Sequence, residues 1–410
     1  MVPFLPPYDD VDAARRGGPS PWVRSLDGVW RFRVHARLDD VGAGDVDPAT
    51  SVEAWAEVAV PGSWVLPFPS PPGFGAPIYL NVRMPFEGQA PGVPDDNPTG
   101  VYRRTFTVPS TWRARRTLLR VGSANSMGFV WVNGSFVGIG TDSHLASSYD
   151  ISAQLRRGTN TVCIAVPRWS ASTWVEDQDQ WWMPGLHRSV ELVSVPHVSI
   201  ADTAMMPGLE RDGTTGTLDL DIGIDAAGAV AGQPPPVTIE VVVEALSTTR
   251  RRPLATTGRV DVPRWEPKDG SQFHAFAYEW AGHRVITTLP VPGIEPWNHE
   301  HPHLYRAVVT LRDADSAVLD VRTRRVGFRR VEIGDRSLLV NGIPVVINGV
   351  NHHDTHPDRG PATRVDDSRR DLEMMKRHHI NAVRTSHYPH DESFYDLCDE
   401  LGLYVVDEAN

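Results

Sequence analysis

The sequence predicts a multidomain chain of three successive folds: an all-β jelly-roll sandwich, an immunoglobulin-like β-sandwich, and the first part of an α/β barrel of the (β/α)8 TIM type. Two observations predict this fold class. Short strand-like segments separated by turn residues fill the chain up to about residue 330. After that point strands alternate with amphipathic helices, which is the order of a parallel sheet. The expected divisions are an N-terminal extension and three domains, at residues 1–21, 22–195, 196–330 and 331–410.

The first domain is predicted from its strands and hairpins. In VYRRTFTVP, the apolar residues Tyr102, Phe106 and Val108 fall on one face and alternate with polar residues. In MGFVWVNGSFVGIG, two apolar runs are joined by Asn133-Gly134, a pair that type I′ turns prefer. No convincing amphipathic helix interrupts this region, which favours a jelly roll. The Pro- and Asp-rich segment before it is expected to extend along the surface.

The second domain stays strand-like. VTIEVVVEAL, LYRAVVTLRD and AVLDVRTRRVGF are predicted strands, and the Ala-, Gly- and Pro-rich insert 226–236 is predicted to be a loop. A region of this length, made of short strands and turns, is typical of an immunoglobulin-like sandwich.

The third domain opens with SLLVNGIPVVI, a predicted hairpin that turns at Asn341-Gly342. A helix is predicted over about 366–379, with Asp366 as a candidate N-cap. NAVRTS is predicted to be a short strand. The order of these elements indicates a parallel sheet.

A second helix is predicted in HDESFYDLCDELG, where Asp391 can cap the start and Gly402 marks the end. The next strand, LYVVD, is apolar throughout, which is typical of a sheet buried on both faces. A complete barrel needs eight strand–helix units, and roughly two and a half are present.

Composition excludes several function classes. The formal net charge is -11 and no Lys/Arg-rich run occurs, so nucleic-acid binding is not expected. The sequence shows neither a signal-peptide pattern nor an apolar run of about 18 residues, so no membrane association is expected. The two cysteines, Cys163 and Cys398, lie in different predicted domains, and sparse cysteine is typical of a reducing compartment. We therefore expect a cytoplasmic protein.

Polar residues follow three successive parallel strands, in VNHHDTHP, RTSHYP and DEAN. The carboxyl ends of barrel strands form the active site of such folds, so these clusters are expected to meet there. His352, His353 and His356 with Asp354 could instead hold a metal, but they lack HExxH spacing and a cysteine partner. Neutral histidines that donate hydrogen bonds to a polyhydroxylated substrate are the preferred interpretation.

A fourth cluster is RWSASTWVEDQDQWWMPGLHR, residues 168–188, where three acidic residues lie among four tryptophans. Aromatic faces can stack on the apolar faces of sugar rings, and carboxylates accept hydrogen bonds from hydroxyl groups. This composition favours carbohydrate binding. The alternative is a tryptophan-filled edge of a core with solvated acids.

Six segments in order resemble the family 2 glycoside hydrolases: DDNPTGVYRRTF, VNGSFVGIGTDSHLASSYDIS, EDQDQWWMPGLHR, WNHEHPHLY, NGVNHHDTHPDRG and AVRTSHYPHDESFYDLCDELGLYVVDEAN. The resemblance runs from about Trp22 to the last residue. NPTG, EDQD-x-W and SHYP together are similar to the large bacterial β-galactosidases. The related β-glucuronidases and β-mannosidases share the architecture and match the EDQD segment less well.

The resemblance implies an enzyme that removes terminal non-reducing β-D-galactose from β-galactosides such as lactose, with retention, through an acid/base glutamate and a nucleophilic glutamate. It places both glutamates and the Glu-x-His magnesium ligands beyond Asn410. The chain is therefore expected to be an N-terminal portion that is inactive alone. Mg²⁺ and Na⁺ are expected for the full-length parent, which is expected to be a homo-oligomer. A β-glucuronidase-type hydrolase and a non-catalytic carbohydrate-binding or complementing fragment are the alternatives.

Two residues of the predicted first domain match substrate-binding positions of the family. Asn97, in NPTG, matches an asparagine that contacts galactose. Asp179, the second Asp of EDQD, matches a residue that contacts both galactose and a sodium ion.

Three residues of the predicted barrel match catalytic positions. His353 and His387 match histidines that stabilise the transition state, and Arg384 matches an arginine that supports the nucleophile. The chain departs from the motif at one position, because the residue before His353 is usually Arg and is here His352. Its position indicates a supporting role behind the substrate-contacting residues.

Overall fold

The computed structural model describes residues 4–66, 74–81, 83–176, 179–226, 235–246, 253–263 and 283–409. Within these residues it confirms the predicted fold class: two β-sandwiches are followed by a three-stranded parallel sheet with two helices. None of the described helices is long and apolar enough to cross a lipid bilayer.

The jelly roll contains two antiparallel sheets, with strand orders β3-β2-β6-β11-β8-β9 and β1-β14-β7-β10, and two short strand pairs, β12-β5 and β13-β4. Its strands are β1 (Val23–Ser25), β2 (Gly28–His35), β3 (Ala56–Val60), β4 (Gly62–Ser63), β5 (Ile78–Leu80), β6 (Thr99–Thr107), β7 (Arg116–Val121), β8 (Gly128–Val132), β9 (Ser135–Gly140), β10 (Ser147–Asp150), β11 (Thr159–Pro167), β12 (Gln180–Trp182), β13 (Gly185–Leu186) and β14 (Val190–Val195). Three short helices accompany them: α1 (Val11–Arg16), α2 (Ala43–Val46) and α3 (Thr173–Glu176).

The β8–β9 hairpin turns at Asn133-Gly134 as predicted, since both residues have positive φ, 52° and 84°. Tyr102 and Phe106 are buried in the core between the sheets. The predicted alternation fails at Arg103, which is also buried and donates a hydrogen bond of 2.6 Å to the carbonyl of Asp47. The reason is a second layer around α2, which covers the outer face of β6.

The N-terminal segment does not simply extend along the surface. Tyr8 is buried, and its backbone exchanges two hydrogen bonds with Val321 in the second domain, of 3.0 and 2.9 Å. Ala14, on α1, packs into the same small apolar cluster. This segment therefore ties the chain start to the second sandwich.

The immunoglobulin-like sandwich packs the sheet β15-β16-β19 against the sheet β18-β17-β20-β21 over one aliphatic core. Its described strands are β15 (Ser199–Leu209), β16 (Thr215–Asp225), β17 (Val237–Ala245), β18 (Pro253–Asp261), β19 (Arg284–Pro292), β20 (Tyr305–Asp313) and β21 (Val318–Val326). The three strands predicted from sequence are confirmed as β17, β20 and β21. The predicted loop 226–236 lies largely outside the described residues.

The barrel segment starts with an antiparallel meander, and a parallel sheet of order β25-β26-β27 follows. Its elements are β22 (Val331–Ile333), β23 (Leu338–Val340), β24 (Ile343–Pro344), β25 (Gly349–His352), α4 (Val365–Arg377), β26 (Ala382–Thr385), α5 (Glu392–Leu401) and β27 (Tyr404–Val406). The predicted hairpin turn at Asn341-Gly342 is confirmed, with φ of 55° and 81°.

The two helix starts differ in how well the sequence predicted them. Asp391 caps α5 by accepting the Ser393 N–H at 3.0 Å, and Gly402 ends the helix in the left-handed region, as predicted. The predicted cap Asp366 is wrong. α4 begins one residue earlier, with Arg364 at the N-cap, whose N–H is accepted by Asp367 at 3.0 Å.

The strand LYVVD is less buried than predicted. Val406 is 56% exposed, and Tyr404 and Val405 are half-buried. Within the described residues β27 is the outer strand of its sheet and pairs only with β26, so one of its edges stays open.

Candidate active site

Three parallel strands end side by side. Asn351 of β25 pairs with Arg384 of β26, and Arg384 pairs in turn with Val406 of β27. The residues immediately after these positions therefore emerge at one edge of the sheet. This alignment brings His353, His387 and the Asp407-Glu408 pair into one region.

Glu408 is the centre of this region. Its Oε1 lies 3.0 Å from Nδ1 of His387, and its Oε2 lies 2.5 Å from Nη2 of Arg384. Its backbone N–H donates a hydrogen bond of 3.0 Å to the hydroxyl of Thr385. Because the carboxylate only accepts hydrogen bonds, it fixes the His387 ring with Nδ1 toward itself and Nε2 toward the cleft.

Asp179 reaches this region from the jelly roll. It has a φ of 51°, in the left-handed region that Asp tolerates better than most residues. One carboxylate oxygen lies 3.8 Å from Nε2 of His387, and the other accepts the hydroxyl hydrogen of Tyr79. That hydrogen bond raises the pKa of the Tyr79 phenol, which therefore stays a neutral donor. About half of the Asp179 side chain is exposed, so it remains accessible to a ligand.

His353 packs edge-on against His387, with ring centroids 5.5 Å apart. Burial, and next the charge of His387, lower the pKa of His353 below its usual value. A neutral imidazole carries one N–H donor and one acceptor nitrogen, so His353 can donate one hydrogen bond to a substrate oxygen near neutral pH.

Asn97 is buried, and its side chain is held by the backbone of Trp169. Its Nδ2 donates to the carbonyl of Trp169 at 2.9 Å, and its Oδ1 accepts the Trp169 N–H at 2.9 Å. Trp169 contacts Phe86, which lines the cleft. The hydrogen bonds found for the Asn97 side chain in the described region join it to Trp169, and none joins it to Asp179 or the site histidines. Contacts thus join four of the five residues that the resemblance assigns to the site, and in the described region no such contact reaches Asn97.

An open cleft of about 880 Å³ lies between the jelly roll and the strand ends. Phe86 and Trp174 supply aromatic surface, and the charged groups are two arginines and three carboxylates. The lining residues are Asn81, Arg83, Met84, Phe86, Glu87, Gly88, Trp174, Asp179, Arg384, His387 and Glu408. Mixed aromatic and hydrogen-bonding walls with no cationic excess suit an uncharged polyhydroxylated ligand.

The tryptophan-rich segment 168–188 divides between core and cleft. Trp169 and Trp182 are buried and stack on each other at 5.7 Å, as the core-edge interpretation predicts. Glu176 is buried as well and accepts hydrogen bonds from Ser143, so it does not face a ligand. Trp174 and Asp179 face the cleft. Asp177 lies outside the described residues.

The four residues that the sequence offered as an alternative metal site do not converge on one point. They are His352, His353, Asp354 and His356. Asp354 is buried against the Thr363 hydroxyl, and Arg188 lies 3.8 Å from its carboxylate. His356 faces Asp367 at 3.9 Å. In the described part of the chain no three His, Cys, Asp or Glu side chains are arranged to hold a metal ion.

Sequence reasoning missed two residues of the site. No sequence pattern marked Tyr79, because it lies in the three-residue strand β5. Its contact with Asp179 arises only when β5 pairs with β12 in the folded protein. Glu408 lies in the DEAN segment, which the sequence already marked as polar. Its position directly after an apolar strand could have assigned it to the site. Its part in orienting His387 follows only from the structure.

Comparison with known proteins gives three family models that cover the chain in sequence. Residues 23–196 match "Glycosyl hydrolases family 2, sugar binding domain", residues 198–329 match "Glycosyl hydrolases family 2", and residues 331–410 match "Glycosyl hydrolases family 2, TIM barrel domain".

Curated relatives and solved structures are similar to nearly all of this chain. A β-galactosidase of Psychromonas ingrahamii is 36% identical over 98% of this chain, and one of Klebsiella pneumoniae is 38% identical over all of it. The chain spans about 37% of the length of each. A β-glucuronidase structure from Bifidobacterium dentium aligns with a TM-score of 0.72 at 23% identity, covering 94% of this chain and 61% of that one. At that identity the likeness shows the fold alone.

Proposed function

The chain belongs to family 2 of the glycosyl hydrolases, and we propose that it supplies the galactose-binding side of a retaining β-galactosidase active site. The observation that carries this proposal is the contact between Asp179 of the jelly roll and His387 at the barrel strand ends. Two domains thereby present a carboxylate acceptor and imidazole rings to one cleft.

In this proposal each side chain has a separate task. Asp179 accepts hydrogen bonds from sugar hydroxyls, which a carboxylate does more strongly than a neutral acceptor. His353 donates to an oxygen on which charge changes in the transition state, and His387, whose Nδ1 donates to Glu408, presents its Nε2 to the substrate. Arg384, 39% exposed, keeps part of its guanidinium available to orient a carboxylate of the reaction centre.

The two catalytic glutamates of a retaining mechanism are assigned to other parts of the parent enzyme. Glu408 is already engaged by Arg384 and His387, and Asp407 accepts hydrogen bonds from Thr385 at 3.0 Å and Tyr395 at 2.6 Å. Both therefore act here as positioning groups. The chain is accordingly proposed to bind the sugar and to lack hydrolytic activity by itself.

Na⁺ and Mg²⁺ are assigned to different parts of the enzyme. The Asp179 carboxylate is a hard oxygen ligand of the kind that Na⁺ accepts, and its exposed oxygen could share such an ion with a sugar hydroxyl. A sodium ion there would offset the repulsion of the acidic groups at the cleft. The magnesium ligands implied by the family resemblance are assigned to the parent enzyme outside this chain.

A galactoside fits the charge of the cleft better than a glucuronide. The lining contains two arginines, Arg83 and Arg384, against three carboxylates, Glu87, Asp179 and Glu408. A sugar carboxylate would face uncompensated acidic groups. A neutral sugar such as the galactose of lactose avoids that repulsion.

The test is a comparison of ligands on the 410-residue chain by calorimetry and by NMR of the histidine rings. D-galactose is expected to bind and shift the His387 and His353 signals more than D-glucuronate does at equal concentration. Stronger binding of D-glucuronate would favour a β-glucuronidase-type enzyme. Binding of neither sugar, with a folded chain, would overturn the proposed galactose site.

A further inference from the structure

A second histidine cluster lies directly behind the site. Nδ1 of His352 is 3.0 Å from Nε2 of His390, and Nε2 of His352 is 3.2 Å from a carboxylate oxygen of Asp371 on α4. Nδ1 of His390 is 3.2 Å from the carbonyl oxygen of Tyr388. The result is a continuous chain of four groups, Asp371, His352, His390 and Tyr388, which the proposed sugar-binding role does not use.

The partners of the ring nitrogens determine where the hydrogens lie in this hydrogen-bonded series. The carbonyl of Tyr388 can only accept, so His390 must carry its hydrogen on Nδ1. His390 is fully buried, and burial lowers its pKa to about 4, so its Nε2 is unprotonated and acts as an acceptor. The Nδ1 of His352 must therefore donate to it.

The second ring nitrogen of His352, Nε2, has a different partner. Nε2 of His352 faces the carboxyl group of Asp371, which is 44% exposed and in contact with water. A carboxylate only accepts hydrogen bonds, so Nε2 of His352 must also carry a hydrogen. His352 therefore has a hydrogen-bond acceptor at each ring nitrogen, an arrangement that an imidazolium satisfies.

The surroundings suit a cation. The His352 ring stacks on Phe394, a buried residue of α5, with centroids 5.2 Å apart and planes 25° from parallel. A cation over an aromatic face is attracted by the negative face of the ring. His352 itself is 13% exposed, so its charge is largely shielded from water.

Charged and titratable groups face this histidine pair from each neighbouring element. Asp371 faces His352 from α4, and His390 faces it from the segment before α5. Asp354 and Arg188 act on His390 with opposite signs. His353 follows His352 in the chain, and the charge of His352 is among the causes that lower its pKa.

We propose that His352 is a positioning residue that acts as a cation with two hydrogen-bond donors. It clamps the end of β25 to α4 and to the segment before α5, and it adds to burial and to the charge of His387 in favouring the neutral form of the adjacent His353. The imidazolium supplies two opposed hydrogen-bond donors and a positive charge one residue from His353. The role of His353 in substrate binding rests on the proposed function, whereas the protonation of His352 does not.

The direct test is nitrogen-detected NMR of the histidine rings in the 410-residue chain at about pH 7.5, above the usual histidine range. His352 is expected to show two protonated ring nitrogens, and His390 is expected to be neutral with its hydrogen on Nδ1. A neutral His352 at this pH would overturn the proposal. The measurement needs no sugar, so it remains informative if the proposed function fails.

Variants distinguish the effect of the charge on His352 from the effect of its packing. Asp371→Asn removes the carboxylate from a half-exposed position, and His352 is expected to become neutral at the same pH. The titration midpoint of His353 should then move upward, which loss of packing alone would not produce. His352→Arg retains a cation and should leave the His353 midpoint in place, whereas His352→Gln should raise it. The exposed His197→Gln is the control.

An unchanged His353 midpoint in both Asp371→Asn and His352→Gln would overturn the electrostatic part of the proposal. If His352→Gln does not fold, the wild-type ring spectrum and the Asp371→Asn comparison still decide it. Loss of the neutral His390 tautomer in His352→Arg would show that the hydrogen-bond chain requires an imidazole.

Discussion

The Nε2 atom of His387 lies 3.8 Å from a carboxylate oxygen of Asp179, although Asp179 belongs to the jelly roll and His387 to the barrel segment. The contact joins the residue before β12 to the residues that follow β26. Tyr79 holds the second Asp179 oxygen, and Glu408 holds the opposite side of the His387 ring. The jelly roll is therefore one wall of the cleft, and both domains are needed to form the candidate site.

Asp179→Asn should weaken galactoside binding. The change removes a charge-assisted acceptor, typically worth about 1.5–3 kcal/mol, or roughly one to two powers of ten in affinity. In the full-length parent any activation by sodium should weaken as well. Calorimetry on the chain and kinetics with and without sodium on the parent measure the two effects. Asp335→Asn, at a fully exposed side chain, is the control, and equal behaviour of the two variants would remove Asp179 from the site.

His353→Phe and His387→Phe in the full-length parent should each lower kcat more than they raise KM. Hydrogen bonds that strengthen in the transition state affect turnover, whereas uniform binding affects KM alone. The pattern is read from steady-state kinetics with a chromogenic β-galactoside. A rise in KM with kcat preserved would assign these histidines to ground-state binding.

The chain should lose stability in acid through its buried histidines. Burial lowers the pKa of His187 to about 4, below the usual value near 6.5. Its neutral form is favoured in the folded state, so its stabilising contribution is complete above about pH 6.5 and is lost as pH falls toward about 4. His187→Gln should reduce the slope of unfolding free energy against pH by up to about 1.4 kcal/mol per pH unit.

Denaturant unfolding between these pH values measures that slope. The matched control is His197→Gln, because His197 is exposed and its replacement should leave the slope unchanged. A wild-type slope in His187→Gln would show that His187 does not resist protonation.

The 410-residue chain alone should not hydrolyse β-galactosides. Retaining hydrolysis needs a proton donor and a carboxylate nucleophile on opposite sides of the anomeric carbon, and loss of either costs many orders of magnitude. A chromogenic assay of the purified chain, repeated after addition of a polypeptide with the later barrel strands, measures this. Turnover by the chain alone that Glu408→Gln abolishes would show that the catalytic residues lie within it.

Local patterns in the sequence predicted much of the fold. Asn133-Gly134 and Asn341-Gly342 turn their hairpins because two residues with positive φ are a local requirement. Asp391 caps α5 by accepting a hydrogen bond from the N–H of Ser393, two residues later. Apolar alternation likewise placed Tyr102 and Phe106 in the core. These features depend on neighbours within a few residues, which the sequence shows directly.

The composition of the site was decided by tertiary contacts. The sequence indicated that Asn97, Asp179, His353, Arg384 and His387 belong together, but the hydrogen bonds that hold the side chains of Asn97 and Glu176 come from residues distant in sequence.

The same holds for the pairing of Glu408 with Arg384 and for the proton arrangement of His352. A side chain's direction and protonation depend on which donors and acceptors the packed domains bring within about 3 Å, and spacing along the chain does not encode that distance. The sequence by itself therefore determined the three folds and the residue types of the site, and the packing of the jelly roll on the barrel strand ends decided which of them face the ligand.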